Sequence, residues 1–366
     1  MSVGLVIVRR AAFLVLALII AVFLTAFIIG ATGYVDKVAR AIVNEEVRAY
    51  RQALSKMPNV NQSYVEEKVR EYQQMLIATY GLDKPWYYRV LPLVYATLMF
   101  KFGDVQQVGV ADVAGMQLPA KASDVILACL PRTIVMITVA ELIAILIALI
   151  IAPYVAFRVG SLADRFTIIY AALTNAIPVW WLALIMIFVF SYRLGVAPQQ
   201  FRGVIRALSD MSTALLSGDL KGFIMGFANV LNYSWLPIVT IVIVLLGPWI
   251  YNVRAMLLRV SREDFVTAAI ARGLPQKVVL RRYILRPALP PVITSVLLGL
   301  AGTLGGYIIT ESVFNWPGMG TLYYEAITSG DPATIIGLTY VLTLVYVIAR
   351  LILEVLYVVL DPRVRL

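Results

Sequence analysis

Six apolar runs, separated by polar segments, dominate the pattern of this 366-residue chain. A helix needs roughly 20 consecutive apolar residues to cross the hydrocarbon core of a bilayer. The runs that reach or approach this length are Ala11–Ile29, Thr133–Ala152, Ile168–Phe190, Trp235–Ile250, Val292–Ile309 and Thr334–Leu356. The pattern therefore predicts an all-α, polytopic membrane protein with six transmembrane helices.

The first apolar run begins directly after Arg9 and Arg10, as the apolar region of a signal peptide would. It is longer than the roughly 7–15 residues that are usual for such a peptide. We therefore expect a retained membrane helix, with residues 1–30 forming the N-terminus and the first span.

Residues 31–130 form the only long stretch without a membrane-length apolar run. Its first half carries apolar residues at three- and four-residue steps between charges, a period typical of amphipathic helices. These residues are Val38, Ile42, Val43 and Val47, then Val65, Val69, Tyr72, Leu76 and Tyr80. The pattern predicts two helices separated at Pro58–Asn59, which either cap the bundle or form a contact surface for an external partner.

A polar and strongly basic segment, Ser261–Pro291, lies between the fourth and fifth apolar runs. Ser261 with Asp264 is typical of a helix start, and Gly273 is a typical stop. Pro275 favours the start of a second helix, which Pro287 would then end. We expect a short helix, a turn and a second helix.

One face of the first helix in this basic segment suits a docking surface. Phe265, Ala268, Ala269 and Arg272 lie at offsets of zero, three, four and seven, so they share a helix face. An aromatic ring beside two small residues allows another protein to approach closely. Glu263 and Asp264 at the helix start and Gly273 at its end complete the predicted docking site.

Basic side chains concentrate on one side of the predicted topology. The N-terminus, Pro153–Thr167, Tyr251–Pro291 and the C-terminal tail hold 14 basic and four acidic residues, whereas the other side holds 15 of each. Cytoplasmic segments carry the excess of Lys and Arg. The charge of +10 therefore predicts cytoplasmic N- and C-termini and contact with anionic lipid, not with nucleic acid.

The composition limits which catalytic, metal-binding and disulfide chemistry the chain can support. Hydrophobic residues make up 61% of it, against about 45–50% in a soluble globular protein. It has a single cysteine, Cys129, and no histidine. The commonest general base and metal ligand is thus missing, and so is any internal disulfide framework. We expect no metal site, no cofactor and no enzyme in this chain.

Six sequence segments occur together in an order and spacing that resemble a known class of permease. They are GLDKPWYYR at Gly81–Arg89, LPRTIVMITVAELIAILIALI from Leu130, AIPVWWLALIMI from Ala176, EDFVTAAIARGL from Glu263, ESVFNWPGMGTLYYEAI from Glu311 and YVVLDPRVRL at the C-terminus. The chain resembles the first permease subunit of the dipeptide/oligopeptide class of binding-protein-dependent ABC importers. Its basic segment resembles the EAA-type cytoplasmic loop of these permeases.

The resemblance implies the type I ABC importer permease fold with a helical extracytoplasmic insertion at residues 31–130. The core permease domain would be residues 131–366, including a coupling loop at residues 251–291. Two cytosolic ATPases, a second homologous permease and an external substrate-binding protein would be the partners. The cargo would be di- or oligopeptides, with oligosaccharides as the alternative.

The sequence is consistent with ATP hydrolysis on separate partner chains. It contains no G-x-x-x-x-G-K-[ST] phosphate-binding loop, so we expect ATP and Mg²⁺ to bind on the partner ATPases. A secondary transporter is the weaker alternative, because no pair of matching halves with equally broken helices is evident. A membrane enzyme would need an intramembrane ionisable cluster, and Glu141, Arg350 and Glu354 make a poor one.

Six residues are candidates for the transport pathway. They are Glu141, Asn175, Trp180, Trp181, Tyr307 and Glu311. Each has a structural alternative: a buried hydrogen bond for Glu141, helix packing or an interfacial aromatic belt for the tryptophans, and a tight turn for Glu311. Arg350 and Glu354 lie four residues apart and are expected to pair with each other.

Overall fold

The computed structural model describes residues 3–56, 61–303 and 307–360, and these fold almost entirely into helices. The first half of the chain contains α1 (Val3–Ala31), α2 (Tyr34–Ser55), α3 (Gln62–Thr79), α4 (Tyr87–Leu98), α5 (Val108–Ala114), α6 (Ala122–Ala156), α7 (Leu162–Ala176) and α8 (Val179–Met186). The second half contains α9 (Val204–Ser217), α10 (Leu220–Ser261), α11 (Asp264–Ala271), α12 (Gln276–Val278), α13 (Arg286–Thr303), α14 (Ile308–Phe314), α15 (Met319–Ser329) and α16 (Pro332–Leu360). The predicted all-α class is confirmed.

Four helices within the described residues are long and apolar enough to cross a membrane: α1, α6, α10 and α16. The pair α7 and α8, continued by a π-helical turn at Ile187–Arg193, qualifies as a fifth, broken span. The fifth predicted span, Val292–Ile309, begins in α13 but extends over residues 304–306, which lie outside the described residues. The helices give a polytopic membrane protein.

Two predicted spans differ from the observed helices. The third is not continuous, because it bends by 97° between α7 and α8. Pro178 has no backbone N–H and keeps Ile177 in an extended conformation (φ −88°, ψ 120°). The fourth is only the middle of α10, since the preceding polar loop is itself helical and Pro237 does not interrupt the helix.

The centre of the bundle is α6 packed along α10. Ala140, Ala144, Ala148 and Ala152 recur at four-residue intervals on α6, and all four are fully buried. Small side chains on one helix face let a neighbouring backbone approach closely, which is how membrane helices commonly associate. At the periphery, α1 packs against α16 and α4.

The helices α2 and α3 form an antiparallel hairpin with a small core of its own. The predicted amphipathic pattern is confirmed for Val43 and Val47 and for Val65, Val69 and Leu76, which are buried. Ile42 and Tyr72 are partly buried and Tyr80 is exposed. The Val38 side chain and the predicted break at Pro58–Asn59 lie outside the described residues. We call the end of the bundle with α2 and α3 the hairpin end, and the end with Ser261–Pro291 the basic end.

Candidate functional site

At the basic end, the long helix α10 is followed by the short helix α11. With 42 residues, α10 is about 63 Å long, roughly twice the thickness of the hydrocarbon core. The helix α11 begins at Asp264 with Glu263 as its N-cap. The predicted start at Ser261 is wrong, because the Ser261 hydroxyl donates to the Leu258 carbonyl oxygen inside α10 (2.8 Å).

The helix α11 presents one face to the chain and the other to solvent. Val266 and Ala269 are 1% and 2% exposed and belong to the main hydrophobic core. Phe265 is 43% exposed, and Ala268 and Arg272 are also exposed. Ala269 was predicted on the outward face, and the structure corrects this placement: its small side chain lets α11 sit closely on the bundle.

Both ends of α11 are open to solvent as well. Glu263 and Asp264 at its start are exposed. The outward face therefore carries an apolar ring, a small residue and charges of both signs, all on one short helix.

Gly273 ends α11 in the left-handed conformation, with φ +73°. The Gly273 N–H donates to the Ile270 carbonyl oxygen at 2.9 Å, and the Leu274 N–H donates to that of Ala269 at 3.4 Å. These two bonds are the Schellman arrangement that satisfies the last carbonyls of a helix. The predicted stop is confirmed.

The second helix of the basic segment is longer than predicted. Pro275 is its N-cap, as expected, and α12 leads into a π-helical turn at Val279–Leu285 and then into α13. Pro287 does not end the helix. The hydrogen-bond register changes between the π turn and α13, and a residue without an N–H is tolerated where the register changes.

A buried ion pair ties α10 to the start of α7 near the basic end. The Arg254 Nε and Nη2 atoms donate to the two Asp164 carboxylate oxygens at 2.5 and 3.0 Å. The Gly160 N–H donates to the same carboxylate at 2.9 Å. The sequence does not reveal this pair, because its partners lie 90 residues apart and nothing in the local pattern connects them.

An open recess of about 410 Å³ lies beside the bend between α7 and α8. Asn175 lines it together with Tyr251 and Asn252 of α10. Trp180 and Trp181 occupy the first turn of α8, just after the bend, and both are exposed. The structure thus leaves three of the predicted pathway residues at the surface of this chain.

Glu141 lies inside the bundle, 1% exposed. One carboxylate oxygen accepts a hydrogen bond from the Trp249 indole N–H at 2.9 Å. Gly299 of α13 packs against the pair, since a Cβ atom there would lie 2.5 Å from the Trp249 ring. Glu141 therefore makes the interhelical hydrogen bond that was the structural alternative.

Glu311 is fully buried and lies within α14, about one turn before the break that leads to α15. One of its carboxylate oxygens accepts from the Thr133 hydroxyl at 3.1 Å and from the Gly320 N–H at 2.8 Å. The Thr133 hydroxyl in turn accepts from the Met319 N–H at 2.7 Å. Glu311 thus caps the first turn of α15, the structural alternative again. Tyr307, partly buried, is the N-cap of α14.

The expected pair of Arg350 and Glu354 is not described, because the Glu354 side chain lies outside the described residues. Of the predicted pathway residues, only Asn175 lines the recess, and neither Glu141 nor Glu311 does.

The family described as binding-protein-dependent transport system inner membrane component matches residues 144–366. The oligopeptide transport system permease protein AppB of Bacillus subtilis (strain 168) is 26% identical over 292 residues, 80% of this chain and 84% of AppB. The di/tripeptide transport system permease protein DppB of Pseudomonas aeruginosa (strain UCBPP-PA14) is 29% identical over 288 residues, 78% of this chain and 82% of DppB.

The probable D,D-dipeptide transport system permease protein DdpB of Escherichia coli (strain K12) is 32% identical over 239 residues, 64% of this chain and 70% of DdpB. The family match alone covers more than half of the chain, including the last part of α6 from Ala144, all of α10, the recess and the whole basic segment. The chain belongs to the family of binding-protein-dependent transport system inner membrane components.

Proposed function

We propose that this chain is the transmembrane permease subunit of an ATP-driven ABC importer and forms half of the pathway for di- or oligopeptides. Its family membership supports a transport role. The names of its relatives, which are oligopeptide, di/tripeptide and D,D-dipeptide permeases, favour peptides over oligosaccharides. An external binding protein delivers the peptide, and a second, homologous but different permease completes the pathway.

The main structural support for this proposal is the outward face of α11. The helix is held between α10 and the helix that starts at Pro275, and Phe265 and Ala268 remain exposed while Val266 and Ala269 fix it to the bundle. We assign this face, with Glu263, Asp264 and Arg272, to docking of one of two cytosolic ATPases. ATP and Mg²⁺ bind on the ATPases.

The ion pair of Asp164 and Arg254 gives the docking helix a mechanical connection to the pathway. Arg254 lies on α10, about two turns before that helix ends at Ser261, and Asp164 lies at the start of α7, which leads to Asn175. Rigid elements linked in this way convert movement at one end into rotation of the spans. ATPase closure at α11 therefore moves the α7–α8 bend together with α10.

The orientation follows from the charges. The basic end is cytoplasmic, with both termini on that side, because Lys and Arg are retained there. The hairpin end faces the exterior and receives the binding protein. The pathway is wide, largely uncharged and weakly binding, so that selection is left to the binding protein. Asn175 and the tryptophans line it, with Tyr307 near its outer end.

Replacing Gly273 by leucine tests the docking assignment in the reconstituted importer with its ATPases, partner permease and binding protein. A Leu side chain at a left-handed position costs about 1–2 kcal/mol, and the strain turns the second helix relative to α11. We expect peptide uptake into proteoliposomes to fall at least about tenfold while ATP hydrolysis continues.

Gly218→Leu is the matched control. Gly218 is also left-handed, with φ +72°, also ends a helix and also has open space around its Cα, but it lies in the turn between α9 and α10 at the other end. Its uptake should stay close to that of the wild type. Equal coupling in both variants would rule out the docking assignment.

A further inference from the structure

The helix α4 is apolar on two faces. Its inward face contributes Val90 and Val94 to the core. Its other face carries Tyr88, Leu91 and Tyr95 and is continued by the C-cap residue Met99; these four follow one another at three- and four-residue steps and are 54–69% exposed. Arg89 is the only charged residue in α4. A helix in water carries polar residues on its exposed face, so this exposed face is unusual for a segment outside the membrane.

The position of α4 along α1 shows the direction in which it runs. The Trp86 ring packs edge-on against Phe27, with centroids 5.0 Å apart, and lies against Gly30 at the hairpin end of α1. The helices α1 and α4 pack along each other, and Val90 and Val94 share a buried cluster with α1 residues as far down as Leu18. The 12 residues of α4 therefore descend about 18 Å beside a membrane-spanning helix.

The far end of α4 contacts α16 well below the start of that helix. The Tyr340 hydroxyl donates to the Leu98 carbonyl oxygen at 3.4 Å, and the Phe100 ring packs edge-on against the Tyr340 ring at 5.1 Å. Tyr340 lies nine residues after Asp331, which is about 13 Å along the helix axis. Its side chain leans back toward the start of α16, so Leu98 lies roughly 10 Å below that level.

The chain then returns to the end from which it came. The Gln106 and Gln107 N–H groups donate to the Asp331 carboxylate at 2.7 and 3.3 Å. Asp331 immediately precedes α16 and also accepts from the Thr334 N–H at 3.0 Å. The segment Trp86–Gln107 therefore goes down and comes back on the same side of the bundle.

The irregular return path is suited to membrane depth, where lipid offers no hydrogen-bond partners. The Val105 N–H donates to the Ala120 carbonyl oxygen at 2.8 Å, and the Ala122 N–H donates to that of Gly103 at 3.0 Å. Phe102 and Val105 are buried in protein. Lys101 and Asp104 are exposed. A lysine stem is long enough to bring its charge to the polar head groups, and Asp104 lies only two residues before Gln106, where the chain is back at the level of Asp331.

We propose that Trp86–Gln107 is a re-entrant segment, with the outer face of α4 in contact with the lipid acyl chains of the leaflet at the hairpin end. This face continues the exposed apolar surface of α1, which includes Phe23, Phe27 and Ile28. Acyl chains are the partner that fits both the depth and the composition of the face. The inference requires only that α1 crosses the bilayer, and it is independent of the cargo.

Spin labels attached at positions 88, 91, 95 and 99 test the proposal in the whole importer, reconstituted in lipid nanodiscs. The labels are introduced through cysteine in a Cys129→Ala background. Collision rates with dissolved oxygen, which enters lipid, and with a water-soluble nickel chelate are measured at each site. We expect high oxygen and low nickel collision rates, with their ratio rising at least about threefold from position 91 to position 99.

Labels at Asn44 and Arg48, which are exposed on α2, serve as the water-facing controls. High nickel collision rates along α4 would place the helix in water and overturn the proposal. Equal ratios at positions 91, 95 and 99 would mean that α4 lies flat on the surface, which also overturns it. Low rates with both reagents would mean that another protein subunit, and not lipid, covers the face.

Discussion

Two helix breaks in the bundle differ in whether their polar groups are buried and bonded within the chain or exposed. The break between α14 and α15, at Asn315–Gly318, is largely buried, and the chain supplies partners for backbone groups there, while the buried Glu311 Oε1 and Trp316 Nε1 atoms have none. Glu311 and Thr133 bond to the start of α15, and Arg132 donates to the Pro317 carbonyl oxygen at 3.3 Å. The break between α7 and α8, at Ile177–Pro178, leaves Asn175 exposed at the recess.

The comparison distinguishes a break whose polar groups are hydrogen-bonded within the chain from a break whose polar groups are accessible to another molecule. A buried polar group without a partner costs about 1–3 kcal/mol, so the chain itself has to supply most of the hydrogen bonds at a buried break. An exposed break carries no such requirement, because water, a substrate or another subunit supplies the hydrogen bonds. Mutations at the first break should therefore change stability, and mutations at the second should change accessibility and transport.

Glu311→Ala should produce the largest effect at the buried break. It removes the acceptor of the Gly320 N–H and of the Thr133 hydroxyl, and leaving such groups unsatisfied should lower the free energy of unfolding by about 3 kcal/mol. Thermal unfolding of the detergent-extracted protein measures this. Glu311→Gln keeps an acceptor oxygen and should lose clearly less. Equal losses in the two variants would contradict a capping role for Glu311.

Thr133→Val should have a smaller effect at the same break. Valine keeps the shape of threonine but loses the hydroxyl that bridges Met319 and Glu311, at a cost of about 1–2 kcal/mol. Thr240→Val is the matched control, because Thr240 is equally buried but its hydroxyl bonds only to the Leu236 carbonyl oxygen of its own helix (2.7 Å). The same unfolding measurement should show a loss below about 0.5 kcal/mol for Thr240→Val.

Local chemistry made the end of α11 predictable from sequence. A glycine after an apolar helical face predicts the left-handed stop that Gly273 makes, since this conformation has no cost for glycine. The start of the same helix was mispredicted, because Ser261 bonds backward within α10. The sequence places Pro178 inside the third predicted span, but the 97° angle depends on how α7 and α8 pack against other helices.

Contacts between distant segments were not predictable. Glu311 and Thr133 are 178 residues apart, and Arg254 and Asp164 are 90 apart. A single sequence gives the cost of a charged residue in the membrane, which is why Glu141 stood out, whereas Glu311 stood out by its place at the outer end of the fifth predicted span. It does not give the partner that offsets this cost. Both carboxylates were therefore equally good candidates for the pathway until their hydrogen bonds were known.

Asn175→Cys should have the smallest effect on stability, within about 0.5 kcal/mol, because the side chain is exposed at the recess. In the assembled importer, with a Cys129→Ala background, a water-soluble thiol reagent should label position 175, at a rate that changes when ATP is added. Thr174→Cys is the matched control, since its neighbour Thr174 is buried and bonds to the Tyr170 carbonyl oxygen at 2.9 Å.

A cysteine at position 174 should therefore label at least about tenfold more slowly than one at position 175. Labelling at 175 that is as slow as at 174, with and without ATP, would mean that another subunit or lipid seals the recess. The break between α7 and α8 would then be a joint completed by the assembly, as the break between α14 and α15 is completed within the chain. The pathway would have to lie away from Asn175.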